Sequence, residues 1–239
     1  MPLAIDLFCG LGGWAAGLLA ENWHAIGFDI ERHVYGEHKY PAQLVVQDVL
    51  TLHGSQFRSA DLIVASPPCQ EYSYMAMPWT RAKAKAAAIR ADTTGAELER
   101  LNALFNDCFR IQREACEAAG RHIPMVVENV RGAIPWVGRS RWNFGSFHLW
   151  GDMPALMPPT IRAHKNPGFR FDGSGKTFQS ESVKTAGQKG VGSGAAWFDG
   201  NLCVHGSKTP ARKFASAMIA KIPLPLSQHI ARVFHPCRV

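Results

Sequence analysis

Five short apolar runs, spaced along the first 130 residues and separated by turns and helix-patterned chain, constrain this sequence more than any other feature. They occupy residues 3–8, 25–29, 44–48, 61–66 and 124–130. Continuous apolar strands that alternate with helices form a mostly parallel sheet covered on both faces. Helical pattern follows a glycine turn at residues 14–20. It is strongest over 97–119, where Leu101, Leu104, Phe105, Cys108 and Ile111 recur at three-and-four spacing. It returns in two late stripes, Ala215, Met218, Ile219 and Ile222, then Ile230, Val233 and Phe234. The expected fold class is therefore α/β, doubly wound. Residues 74–95 are basic and alanine-rich, compatible with a mobile loop or a short helix.

At 239 residues the chain suits one domain or one and a half, and 46% hydrophobic with 19% charged residues excludes wholesale disorder. No apolar run approaches the roughly 20 residues of a membrane-spanning helix. Met1 to Asp6 show no basic region ahead of an apolar one, so no signal peptide is expected. Six cysteines (Cys9, Cys69, Cys108, Cys116, Cys203, Cys237) include no CxxC pair. That argues against a disulfide framework or zinc ribbon and fits a reducing cytoplasm. The ten histidines form no HxxxH or HExxH pattern, so no catalytic metal is expected.

The net charge of +7 is unevenly placed: residues 1–160 carry 14 basic and 16 acidic side chains, residues 161–239 carry 12 and 3. The excess in the last third points to a polyanion, most simply nucleic acid, although a solvated basic surface explains charge alone equally well. Composition also changes near residue 150. Residues 154–206 are rich in Gly, Pro, Ser and Lys with isolated aromatics (Phe169, Phe171, Phe178, Trp197, Phe198). The expected organisation is a main domain of residues 1–149 plus 206–239 and a small loop-rich region over 150–205.

The strand ends carry the chemistry, because open α/β sheets bind ligands at their carboxyl edge. The turn Asp6-Leu7-Phe8-Cys9-Gly10-Leu11-Gly12-Gly13 allows close approach to the backbone, though tight packing explains many such glycines. Asp29 can accept from ribose hydroxyls and Asp48 from an adenine amino group, which together describe a nucleoside-binding edge. Ser66-Pro67-Pro68-Cys69-Gln70 holds a cysteine rigidly, since each proline fixes φ. A buried cysteine at a turn is the plainer reading of an isolated Cys. Glu128, at the end of another strand, weakens it: a thiolate beside a carboxyl group suits covalent catalysis with acid assistance. The aromatics between Trp142 and Trp150 are core strand residues before they are base-stacking ones.

In Asp6–Gly13, Pro67–Gln70 and Glu128-Asn129-Val130, in that order, the sequence resembles the cytosine-C5 DNA methyltransferases, over roughly residues 3–150 and more faintly 206–239. Its compact length is similar to that of small phage-borne members, which implies a bacterial or phage-infected cell. The resemblance implies the class I S-adenosylmethionine-dependent methyltransferase fold, with S-adenosylmethionine as cofactor. Phe8 would stack on adenine, Gly10 and Gly12 would approach the cofactor, Asp29 would hold the ribose and Asp48 the adenine. Ile30, Val49 and Pro68 complete that set. Cys69 would add to C6 of cytosine, and Glu128 would hold its N3 edge. The partner implied is double-stranded DNA with a flipped cytosine, bound by a monomer, with residues 150–205 as target-recognition region. The basic segment after Gln70 would close over DNA.

Two departures from the family pattern stand out. Its Gln-x-Arg-x-Arg motif is missing, and Arg139 and Arg141 are the candidate replacements. Where the family places Gly-Asn before a final helix, this chain has Arg212-Lys213. Lys213 then faces a DNA phosphate, or the alignment is displaced, or the cofactor is the anionic carboxy-S-adenosylmethionine and the product 5-carboxymethylcytosine. Two further readings stay open: a catalytically inactive DNA-binding protein on the same fold, and the same cysteine chemistry on tRNA or a free nucleotide.

Overall fold

A computed structural model of the protein describes residues 1–73, 79–157, 213–214, 217–218 and 220–236. One compact unit comprises Met1–Pro159 and Lys221–Val239. The expected recognition region lies outside the described residues from position 158 onward, with its five isolated aromatics.

In chain order the elements are β1 (Leu3–Leu7), α1 (Gly13–Ala20), β2 (His24–Asp29), β3 (Val34–Tyr35), β4 (His38–Lys39), β5 (Gln43–Val46), β6 (Leu62–Ala65), α2 (Trp79–Ala91), α3 (Ala96–Ala119), β7 (Met125–Val130), α4 (Ile134–Val137), β8 (Trp142–Phe144), β9 (Phe147–Gly151) and α5 (Leu224–Val233). Seven strands make one sheet in the order β5-β2-β1-β6-β7-β9-β8. The first five are parallel, and β9 runs antiparallel to both β7 and β8. The chain builds outward from β1 through β2 to β5, then crosses back to place β6 on the other side of β1. That reversal is the switch point, at the carboxyl ends of β1 and β6, where open α/β sheets bind their ligands.

The central strands β1, β6 and β7 are buried on both faces, and their residues alternate between two cores. Ile5, Leu7, Ile63, Ala65, Met125 and Val127 pack under α3 through Leu101, Phe105, Cys108, Ile111 and Ala115. Ala4, Leu62, Val64, Val126 and Leu149 pack under α1 and α5 through Trp14, Ala15, Leu18, Leu226 and Ile230. Asp6, Ser66 and Glu128 fall in step with the second set, so they share the α1 face.

The helices follow from local chemistry. In α3, Glu97 and Glu99 sit in the first turn, where the helix dipole favours them, and Gly120 ends the helix in the left-handed conformation. Residues 79–91 are helical because Ala82, Ala86 and Ile89, spaced four and three apart, give the alanine-rich segment one buried stripe. The expected strand at 44–48 ends earlier, at Val46, and Asp48 instead caps the short 3-10 turn Val49–Thr51. The hairpin of β3 and β4 carried no sequence signal. Among the described residues no helix is long and apolar enough to cross a membrane.

Helices α1 and α5 approach so closely that only glycine fits at position 17. A Cβ there would stand 2.2 Å from Ser227 Oγ and 2.5 Å from the Gln228 backbone nitrogen. The same contact is tied by Trp23 Nε1, which donates to Ala231 O at 3.0 Å, and by the Arg232–Glu21 ion pair at 2.7 Å. Alanine has the better helix propensity, by about 1 kcal/mol, but overpacking costs about 1–3 kcal/mol. Gly17→Ala is therefore expected to lower stability in urea denaturation; an equal or higher unfolding free energy contradicts this packing.

Candidate active site

The turn after β1 is strained and fastened to β2. Phe8 adopts φ 56°, uncommon for a residue with a side chain, and Gly10 and Gly12 follow at 50° and 71°. Cys9 N donates to Phe28 O at 3.2 Å, and Gly10 N donates to Asp29 Oδ2 at 2.9 Å. Burial pushes the Asp29 carboxyl up. Hydrogen bonds from His33 and from the Gly10 and Glu31 amides outweigh it and hold the carboxyl below the usual range. The two predicted glycines differ. Gly10 opens onto free space, whereas a Cβ on Gly12 would stand 2.3 Å from Pro41 Cδ and 2.9 Å from Tyr40 Cδ2. Gly12 is thus required by the Tyr40-Pro41 packing.

Asp48 ends the neighbouring edge, accepting Leu50 N at 3.0 Å on one oxygen. Ile30 and Leu50 leave 69% and 48% of their surface exposed, while Val49 is buried in the core under α3. Two carboxylates with acceptor capacity left, beside exposed aliphatic surface, fit the hydroxyls, amino group and flat ring of an adenosyl moiety. Asp6, at the base of the turn, accepts from Tyr40 Oη at 3.3 Å and keeps one buried oxygen without a partner. Burial raises its carboxyl well above the usual range.

Across the crevice, β6 runs into Ser66-Pro67-Pro68-Cys69. The loop is pinned on both sides of the cysteine. Asn129 Nδ2 donates to Pro67 O at 2.9 Å. The Cys69 carbonyl accepts from Tyr72 N and Ser73 N at 3.0 and 2.9 Å. Tyr72 is itself buried, its hydroxyl 2.9 Å from Asn102 Oδ1 of α3, and Asn102 Nδ2 donates to Trp136 O of α4 at 2.9 Å. Pro67 is buried and Pro68 exposed. Two parallel pairs, Val64↔Val126 and Ala65↔Val127, carry the register one step further to Ser66 beside Glu128.

Cys69 lies close enough to Glu128 to feel its charge. Burial, then the Glu128 carboxylate, push the Cys69 thiol up to about 11. Glu128 is 8% exposed, and burial drives its carboxyl to about 8 despite a hydrogen bond with Ser66. At neutral pH the resting pair is a thiol beside a carboxylic acid that has a proton to give.

Trp14, Ser66, Tyr72 and Asn102 were not singled out from sequence as supports of this pair. Arg139 and Arg141 lie exposed between α4 and β8, and among the described residues neither forms an ion pair with Glu128. Lys213 is exposed, and Arg212 lies outside the described residues. Trp150 and Leu149 are buried in β9, and Trp142, Phe144 and Phe147 pack against the same core as α1, as strand residues do. Among the described residues no group of three or more His, Cys, Asp or Glu side chains is placed to hold a metal ion.

The family model of the C-5 cytosine-specific DNA methylases matches residues 3–133, more than half of the chain, and spans the Phe8 turn, Asp29, Asp48, Cys69 and Glu128. The chain belongs to this family. Solved structures similar to this methylase chain include a candidate DNA modification methyltransferase encoded within a prophage (E. coli), at 22% identity and TM-score 0.37 over 56% of this chain and 33% of that one. The Dnmt2 methyltransferase of S. pombe gives 16% and 0.33, over 56% and 36%. EhMeth of Entamoeba histolytica gives 19% and 0.34, over 55% and 39%. The chain thus spans between about a third and two fifths of the length of each. No curated protein matches it.

The buried acid sets a pH dependence of stability. Glu128 ionises near its ordinary 4.5 when unfolded and near 8 when folded, so the unfolded chain loses its proton first. This contribution to stability is whole below about 4.5 and is lost as pH rises through about 8. Urea denaturation across that range is expected to show Glu128→Gln gaining on wild type as pH rises. In the same variant the Cys69 thiol should titrate below wild type, read by pH-dependent alkylation and peptide mass spectrometry. Parallel stability curves, or an unmoved thiol, contradict the coupling.

Proposed function

We propose that the protein is a DNA cytosine-C5 methyltransferase in which Cys69 is the nucleophile and Glu128 the acid. The observation that supports this reading above all others is the juxtaposition of a loop-pinned thiol and a buried, proton-bearing carboxyl group on adjacent strand ends. They lie beside an edge suited to an adenosyl group. The Cys69 thiol gives up its proton to solvent, and the thiolate Sγ adds to C6 of a cytosine turned out of the duplex, which breaks the ring's aromaticity and makes C5 nucleophilic. Glu128 holds the N3 edge and delivers its proton there as negative charge develops. S-adenosylmethionine, when bound along Phe8, Gly10, Asp29, Ile30 and Asp48, supplies the electrophilic methyl carbon. With S-adenosylhomocysteine as the leaving group, loss of the C5 proton to water, return of the N3 proton to Glu128 and expulsion of Cys69 as the thiolate restore the ring. Pro67 and Pro68 keep the thiol from swinging off C6.

Residues 154–205 and the charged segment after them, which hold the chain's excess of basic side chains, are assigned to the DNA. Lysines and arginines that neutralise phosphates release counterions, so DNA affinity should fall steeply as salt rises. A nearly flat dependence removes the DNA assignment of that region.

Mass spectrometry of nucleosides from DNA of cells expressing the protein tests the reaction. Wild type is expected to yield 5-methylcytosine and Cys69→Ala none, with its fold retained. Unmodified cytosine in the wild-type sample, or modification that survives Cys69→Ala, overturns the reading. The added mass also separates methyl transfer from the carboxymethyl transfer that Lys213 would serve by pairing the carboxylate of carboxy-S-adenosylmethionine.

A further inference from the structure

Helix α3 grips the chain just past the Asp48 turn by one carbonyl and one amide. Arg110, midway along α3, is first fastened to its own helix. Nε and Nη2 donate to the two oxygens of Asp107, both at 2.6 Å, and Nη1 donates to Glu114 Oε1 at 2.9 Å. Nη2 also donates out of the helix, to Leu52 O at 3.0 Å. Two residues on, Gly54 N donates to Glu114 Oε2 at 2.6 Å. A Cβ on Gly54 would stand 2.1 Å from Ile111 O, so the chain there lies directly against α3.

The gripped residues close the turn that Asp48 begins. Thr51 N donates to Asp48 O at 3.0 Å and Leu52 N to Val49 O at 3.1 Å. Asp48 Oδ1 accepts Leu50 N, which sets the direction of the carboxyl and leaves its other oxygen for the adenine amino group. Val49 and Leu52 are each 2% exposed, but apolar burial has no direction and does not fix how the turn is rotated. The hydrogen bond to Leu52 O does. Arg110 is bracketed by two carboxylates in the same helix, so it is not set up to meet a DNA phosphate.

We propose that Arg110 is a positioning residue for the cofactor: by holding Leu52 O it fixes the turn that aims Asp48 at the adenine amino group. The proposal rests on Asp48 being the adenine acceptor of the reading above. Lysine keeps the charge but lacks the planar fork, so it can answer the carboxylates without also holding the carbonyl.

Calorimetric binding of S-adenosylhomocysteine and of S-inosylhomocysteine tests this without DNA or turnover. In the inosyl compound a ring oxygen replaces the amino donor. Wild type should prefer the adenosyl compound by about 10-fold or more, as expected for a hydrogen bond to a charged acceptor. Arg110→Lys should weaken the adenosyl compound on the order of 10-fold and the inosyl compound little. Asp48→Ala should abolish the same preference, and Arg110→Lys should change it no further in that background. Amide hydrogen exchange reads the turn itself. The Thr51 and Leu52 amides should exchange faster in Arg110→Lys, while those of β5 and α3 keep their wild-type rates and show the fold intact.

Equal losses for both compounds are a general loosening and overturn the proposal. An unchanged preference does the same, as do wild-type exchange rates at Thr51 and Leu52. A wild type that binds both compounds alike overturns the adenine reading of Asp48 instead, and the exchange rates still decide whether Arg110 holds the turn.

Discussion

The parallel pairing of β6 with β7 is the constraint on which the site depends. Val64↔Val126 and Ala65↔Val127 set Ser66 and Glu128 side by side and carry the cysteine loop out over the carboxyl edge. A slip of one residue would turn Glu128 from the α1 face to the α3 face, away from Trp14 and Ser66. It would also separate Asn129 from the Pro67 carbonyl that it holds at 2.9 Å. The register is held because the flanking residues are buried on alternate faces in two different cores, so a slip would expose both sets at once.

Those cores also support a costly arrangement. Asp6 and Glu128 are both buried on the α1 face, and burial raises both carboxyls. Neutral carboxyl groups in such surroundings are less costly than ionised ones but still give up hydration. Asp6 keeps Tyr40 as a partner and Glu128 keeps Ser66. Asp29 differs, because the Gly10 and Glu31 amides and His33 bond to it and keep it ionised. Three carboxyl groups at one sheet edge are thus pushed in different directions by their surroundings, Asp6 and Glu128 up by burial and Asp29 down by its hydrogen bonds.

Much of this was legible before any coordinates. The five apolar runs became the five parallel strands, and at β1, β6 and β7 the run is unbroken because a strand buried on both faces leaves such a signature. Cys69, Glu128, Asp29 and Asp48 read from the sequence as candidate chemistry near strand ends; the fold puts Asp29 at the end of β2, Glu128 within β7, Cys69 in the loop after β6 and Asp48 on the turn after β5. The Trp14–Ser66 and Tyr72–Asn102 contacts were not, since they span 52 and 30 residues and involve types that also serve as ordinary core or turn residues. The α2 segment was ambiguous because its helix depends on three small buried contacts. The motif reads Gly12 as a cofactor contact, and the Tyr40-Pro41 packing, which follows a hairpin without sequence signal, is a further demand for glycine there.

The central claim is that the thiol carried by the β6 loop, and no other, attacks the base. Duplex DNA containing 5-fluorocytosine, incubated with the protein and S-adenosylmethionine, tests it most directly, because fluorine at C5 blocks the elimination that would free the enzyme. Peptide mapping of the trapped complex by mass spectrometry should place the nucleotide on the peptide containing Cys69. An adduct on Cys9, Cys108, Cys116 or another cysteine contradicts the account, as does ordinary cytosine being modified while the fluorinated base forms no adduct.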